Sequence, residues 1–129
     1  MRAFLLSVAA CLAGCAAKPQ PVSVPDLAGT WRNADGATLS CEDTGVVVRQ
    51  PAGPKQRPVI GAYTFDGTTA TFRDQTGPTG CGDKVGTYTL RMRRDSFDAV
   101  TVRDGCEDRR KALEGTWTRI AAGRVTPDA

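Results

Sequence analysis

Gly86-Thr87-Tyr88-Thr89-Leu90-Arg91-Met92-Arg93 is the stretch on which the reading of the fold turns. Tyr88, Leu90 and Met92 occupy one parity. Thr87, Thr89, Arg91 and Arg93 occupy the other. A period of two places such sets on opposite faces of a strand, so this strand has one greasy side and one wet side.

The same alternation recurs outward from it in both directions. Ala70 and Phe72 oppose Thr69, Thr71 and Arg73, while Tyr63 and Phe65 share a face, as do Val100 and Val102. Turn signals separate the runs: Asp35-Gly36, Asp43-Thr44-Gly45, Asp66-Gly67 and Arg94-Asp95-Ser96. Strands are expected at about 28–33, 37–41, 46–50, 59–65, 69–74, 86–93, 97–103 and 115–120, with a short helix within 106–113. The three prolines between Pro51 and Pro58 require a loop there. Short strands so spaced predict an all-β fold: a small eight-stranded antiparallel up-and-down β-barrel, with one short helix before the last strand. A sandwich has the same spacing and stays open. The inward set is read as the apolar faces above together with Trp31, Leu39, Val46, Val48 and Trp117.

In an up-and-down order the long connections, 51–58, 75–85 and 104–114, share one end with the short 34–36 turn. The other end carries only tight turns. Cys81 and Cys106 fall at the long-loop end and Cys41 at the tight end, which favours a Cys81–Cys106 disulfide among the three pairings possible. The loop closed would span about 26 residues and contribute roughly 3.5 kcal/mol in the chain-entropy model. Cys41 is then left over, as a small buried apolar residue, a reactive thiol or an intermolecular partner.

The amino terminus reads differently. Arg2 precedes an apolar run, Ala3 to Ala13, too short to span a membrane and suited to a signal sequence. It ends in Leu12-Ala13-Gly14-Cys15, which resembles the bacterial lipobox. That resemblance implies cleavage between Gly14 and Cys15 and lipidation of Cys15, hence residues 1–14 as signal peptide. A proline-rich tether, 15–26, would link lipid to a domain at 27–120, with 121–129 as a disordered tail. Ala16 rather than Asp follows the cysteine. By resemblance to Gram-negative lipoprotein sorting, this favours the outer membrane, facing the periplasm.

Composition narrows the chemistry. The 129 residues contain no histidine, and 17 Lys+Arg stand against 14 Asp+Glu, a net charge of +3. The basic residues are scattered rather than striped, which argues against nucleic acid. Without histidine the commonest general base and metal ligand is missing, and no nucleophile elbow or phosphate loop is present, so no catalytic residue, metal or cofactor is assigned. Asp104, Glu107 and Asp108 read as solvated loop charges.

Leu27-Ala28-Gly29-Thr30-Trp31 resembles the Gly-x-Trp opening of lipocalins and other calycin-like barrels. In that family the tryptophan packs across the closed end beneath an arginine from the last strand, so Gly29, Trp31 and Arg119 are the implied barrel-closing set. The stretch from Cys81 to Arg119 also resembles small bacterial lipocalin-like proteins. What the resemblance implies is a binding module taking a small hydrophobic ligand among Tyr63, Phe65, Phe72, Tyr88 and Trp117. The alternative is a protein-binding module of the envelope, since small periplasmic protease inhibitors resemble this architecture too.

Overall fold

The structure, a computed structural model, describes residues 26–76 and 81–122. The signal segment, Cys15 and nearly all of the tether lie outside the described residues, as does the chain beyond Ala122. Eight strands close into one antiparallel barrel in chain order: β1 (Gly29–Asn33), β2 (Thr38–Cys41), β3 (Val46–Gln50), β4 (Val59–Phe65), β5 (Thr69–Thr76), β6 (Val85–Met92), β7 (Ser96–Arg103) and β8 (Gly115–Ala122). A single helix among the described residues, α1 (Glu107–Leu113), precedes β8. β1 and β8 pair along the seam, Gly29 opposite Ala122 and Trp31 opposite Arg119. β8 runs two residues beyond the expected limit, so Ala121 and Ala122 belong to the barrel rather than to a tail.

Register explains where the inward set departs from expectation. The β6–β7 hairpin closes with Arg93 N–H donating to the Ser96 carbonyl (2.8 Å), which places Met92 opposite Phe97 and Leu90 opposite Ala99. Residues directly opposed in an antiparallel pair share a face. Phe97 and Ala99 are therefore buried, while Val100 and Val102 point outward. Reading the turn one residue longer reverses the face of every following side chain. β3 shows the same effect. Its run Val46-Val47-Val48 carries no parity signal, and pairing of Cys41 with Val47 and Leu39 with Arg49 turns Val47 and Arg49 inward. Val46 and Val48 are half-buried on the other face.

The interior is filled by aromatic rings. Phe97 packs edge-on to Trp31 (centroids 4.8 Å) and near-parallel to Trp117 (6.4 Å). Phe72 meets Tyr88 edge-on at 5.7 Å. The two tryptophans are built alike. Leu27-Ala28-Gly29-Thr30-Trp31 and Leu113-Glu114-Gly115-Thr116-Trp117 repeat the pattern Leu-x-Gly-Thr-Trp. In each, the indole N–H donates to the leucine carbonyl four residues back, Trp31 to Leu27 at 3.0 Å and Trp117 to Leu113 at 2.8 Å. That turn needs a backbone only glycine adopts at low cost, and Gly29 and Gly115 have φ of +135° and +117°. Because β1 and β8 are antiparallel, the two copies enter from opposite ends.

A disulfide joins Cys81, after β5, to Cys106, before α1, with Cα atoms 5.2 Å apart. Both half-cystines are buried. Replacing both with alanine is expected to lower the free energy of unfolding by about 3.5 kcal/mol. Urea denaturation with and without reductant checks this: wild type should fall to the variant's midpoint on reduction, and the variant should not respond.

Candidate functional site

The two ends of the barrel are built differently. At the tight-turn end the Arg119 guanidinium lies 4.2 Å above the centre of the Trp31 ring. It also donates to the backbone carbonyls of Ala28 (2.7 Å) and Asp26 (3.2 Å). A cation over an indole face gains from the ring quadrupole, and its N–H groups here staple the entering chain to the last strand. Tyr63 donates from its hydroxyl to the Glu42 carbonyl (2.5 Å), and burial pushes its own phenol up to about 12. Tyr63 and Phe65 flank a shallow depression of about 280 Å3 beside Leu27. Cys41 is buried nearby, and burial pushes its thiol up to about 12, against a smaller pull from Arg119. A thiol so placed is a packing group rather than a nucleophile.

At the long-loop end four charged side chains are drawn inside. Asp104 accepts from Arg109 Nε (2.8 Å) and Nη2 (2.9 Å), from the Cys106 backbone N–H (2.8 Å) and from the Tyr88 hydroxyl. Arg109 Nη2 also donates to the Lys84 carbonyl (2.8 Å). Gly86 makes the space: a Cβ there would lie 2.7 Å from the Asp104 carboxyl carbon. Arg109 Nη1 reaches Asp74 at 3.6 Å, and Arg49 Nη2 reaches the other Asp74 oxygen at 3.5 Å. Burial pushes the Asp104 carboxyl up, but bonds from Arg109, Tyr88 and the Cys106 N–H outweigh it and hold the group below the usual carboxylate range. The phenol of Tyr88 is raised, first by burial and then by Asp104.

This cluster ties the loop at Lys84, strand β6 and helix α1 into one block beside the disulfide. Asp104 is thus no solvated loop charge, although Glu107 and Asp108 remain exposed. One signal was available in the sequence: Gly86 interrupts a strand. A glycine inside a strand marks close approach by another group, here a carboxylate.

Above the cluster lies an open cleft of about 750 Å3 between the β1–β2 turn, the 51–58 loop and α1. Its walls include Ala37, Pro51, Val59 and Ala112 with Arg49, Lys55, Arg57 and Lys111. None of the five aromatic residues assigned to a ligand lines it. Phe72, Tyr88 and Trp117 are core side chains in contact with other core residues, and Tyr63 and Phe65 sit at the opposite end. Gly29, Trp31 and Arg119 do come together at the seam.

Replacing Asp104 with asparagine leaves buried Arg109 with only the longer contact to Asp74 as counter-charge, at an expected cost of about 3 kcal/mol. The wild-type carboxyl, held below its unfolded value of about 3.9, contributes stability above that pH and loses it as pH falls through the folded value. Urea titrations from neutral pH to about pH 3 should therefore show wild-type stability falling below about pH 4, with a flatter profile for D104N.

Scans of the chain against protein-family models, curated proteins and solved structures give no match, so its functional reading rests on the geometry of the barrel's two ends.

Proposed function

We propose that the protein is a lipid-anchored envelope lipoprotein whose barrel, lipocalin-like in design, is a non-enzymatic binding module that takes a small ligand in its mouth cleft. The observation that carries this is the contrast between a filled interior and an open mouth. Trp31, Trp117, Tyr88 and Phe97 are at most 1% exposed, so the barrel has no room for a ligand among them. The cleft of about 750 Å3 falls in the range of small-molecule sites. Its walls set apolar Ala37, Pro51, Val59 and Ala112 among charged side chains.

The lipobox-like Leu12-Ala13-Gly14-Cys15 supports the anchor. Residues 26–28 reach the barrel at the tight-turn end, under Arg119. A tether arriving there leaves the mouth directed away from the membrane that holds the lipid. Ala16 after the cysteine, by resemblance to Gram-negative lipoprotein sorting, favours an outer-membrane site facing the periplasm.

A second reading is favoured by the same filled interior: the exposed loops at the mouth grip another envelope protein, in the manner of an inhibitor. Cross-linking in intact envelopes separates the two. A stoichiometric protein partner contacting residues 51–58 would support the second reading and displace the first.

The anchor has its own test. Wild-type protein is expected to take up labelled palmitate and to partition with membranes, and Cys15→Ala to do neither. Equal partition of the two proteins would overturn the anchor and leave the cleft reading standing.

A further inference from the structure

The mouth cleft holds a charge that the protein itself leaves short of partners. Arg49 lies on β3 at an inward position and is 6% exposed. Its guanidinium reaches Asp74 from one nitrogen at 3.5 Å, beyond the usual range of a charged hydrogen bond. Among the described residues it has no other hydrogen-bonding partner, although a guanidinium carries five N–H donors. Asp74 is shared with Arg109, whose Nη1 is buried and lacks a hydrogen-bond partner among the described residues.

A buried cation is costly unless its donors are used. Burial accordingly pulls the Arg49 guanidinium below its ordinary value, and Asp74 only partly restores it. Contrast Asp104 in the same cluster, which accepts four hydrogen bonds. Arg49 lines the cleft, and Lys55, Arg57 and Lys111 stand around it against Asp35 and Asp108. The wall is thus net positive, with its one buried charge at the base. An acidic protein surface would meet the rim lysines. Arg49, only 6% exposed within the cleft, is open to a small group rather than to a protein surface.

We propose that the cleft binds a small soluble oxyanion, a carboxylate or phosphate ester carried on a compact apolar body, with the Arg49 guanidinium as its receptor and Lys55 and Arg57 drawing it in. The inference rests on the reading of the cleft as the binding site. Planar N–H pairs on Arg49 match the oxygen spacing of either anion. Pro51, Val59 and Ala112 would cover the ligand's apolar part. The mouth opens at the end opposite residues 26–28, which favours a dissolved ligand over a lipid headgroup.

The test is a solution NMR titration of the full-length lipoprotein in zwitterionic micelles, with benzoate, phenyl phosphate and neutral benzamide as probes. At least one anion is expected to shift the Arg49 side-chain N–H signal and the backbone signals of Gly53 and Val59. Its affinity should exceed that of benzamide by about tenfold or more. Arg49→Lys should abolish the preference for the anion. Because that substitution disturbs a buried cluster, the double variant Lys55→Gln/Arg57→Gln, changed only on the rim, supplies an independent reading. It should weaken the anion by roughly threefold or more and flatten the salt dependence. Benzamide binding as well as benzoate, in wild type and variants alike, would overturn the anion class while sparing the cleft. Shifts confined to outer-face arginines such as Arg91 and Arg103 would overturn it as well. No response to any probe at about 10 mM would sink both the anion and the cleft.

Discussion

Two indole N–H groups have to be satisfied in a barrel too narrow to admit water beside them, and the way this is done organises everything else. Each N–H turns back to a leucine carbonyl four residues earlier, across a glycine with a positive φ. The solution is local, so it works at either end of the sheet. An unsatisfied buried donor would cost a large fraction of what a domain of this size has to spare. With both donors satisfied, Trp31 and Trp117 can both pack on Phe97, one edge-on and one near-parallel. A small barrel so packed is a solid, and its chemistry is displaced to its ends.

The ends differ because of what each contains. Arg119 spends its charge on an indole face and two carbonyls, a closed arrangement that joins first strand to last. At the mouth, arginines and carboxylates are taken inside, under a helix pinned by Cys106. Asp104 there is saturated with donors, whereas Arg49 is not. The difference between those two residues is one of hydrogen-bond saturation, four bonds accepted by Asp104 against one long contact from Arg49. Burying paired charge is weak evidence of stabilisation in itself. Its service here is to hold α1 and the loop at Lys84 in one relation to β6.

The barrel was legible because strand alternation, turn residues and even spacing all agreed; the Cys81–Cys106 bond followed from which loops share an end. Parity failed at two places for definite reasons. In β7 it depended on whether the preceding turn holds two residues or three, and one residue reverses the face. In β3 three consecutive valines are equally greasy on both sides, so only pairing with Leu39 and Cys41 could orient them. The mouth cluster was illegible for a deeper reason. Charged side chains are read as solvated unless something shows their partners, and Arg49, Asp74, Asp104 and Arg109 become partners only through the closed sheet. Gly86 was the visible trace, a missing side chain where a carboxylate had to fit.

The seam between β1 and β8 carries one more consequence. Every other pairing in the sheet joins strands consecutive in the chain, so those hairpins can zip in sequence with little chain entropy to surrender. The seam brings together segments such as Ala28 and Arg119, separated by 91 positions. The entropy of ring closure is therefore concentrated in one contact line. If that line forms after the rate-limiting barrier, an arginine riveting it slows unfolding; if it forms in the barrier, the same arginine speeds folding.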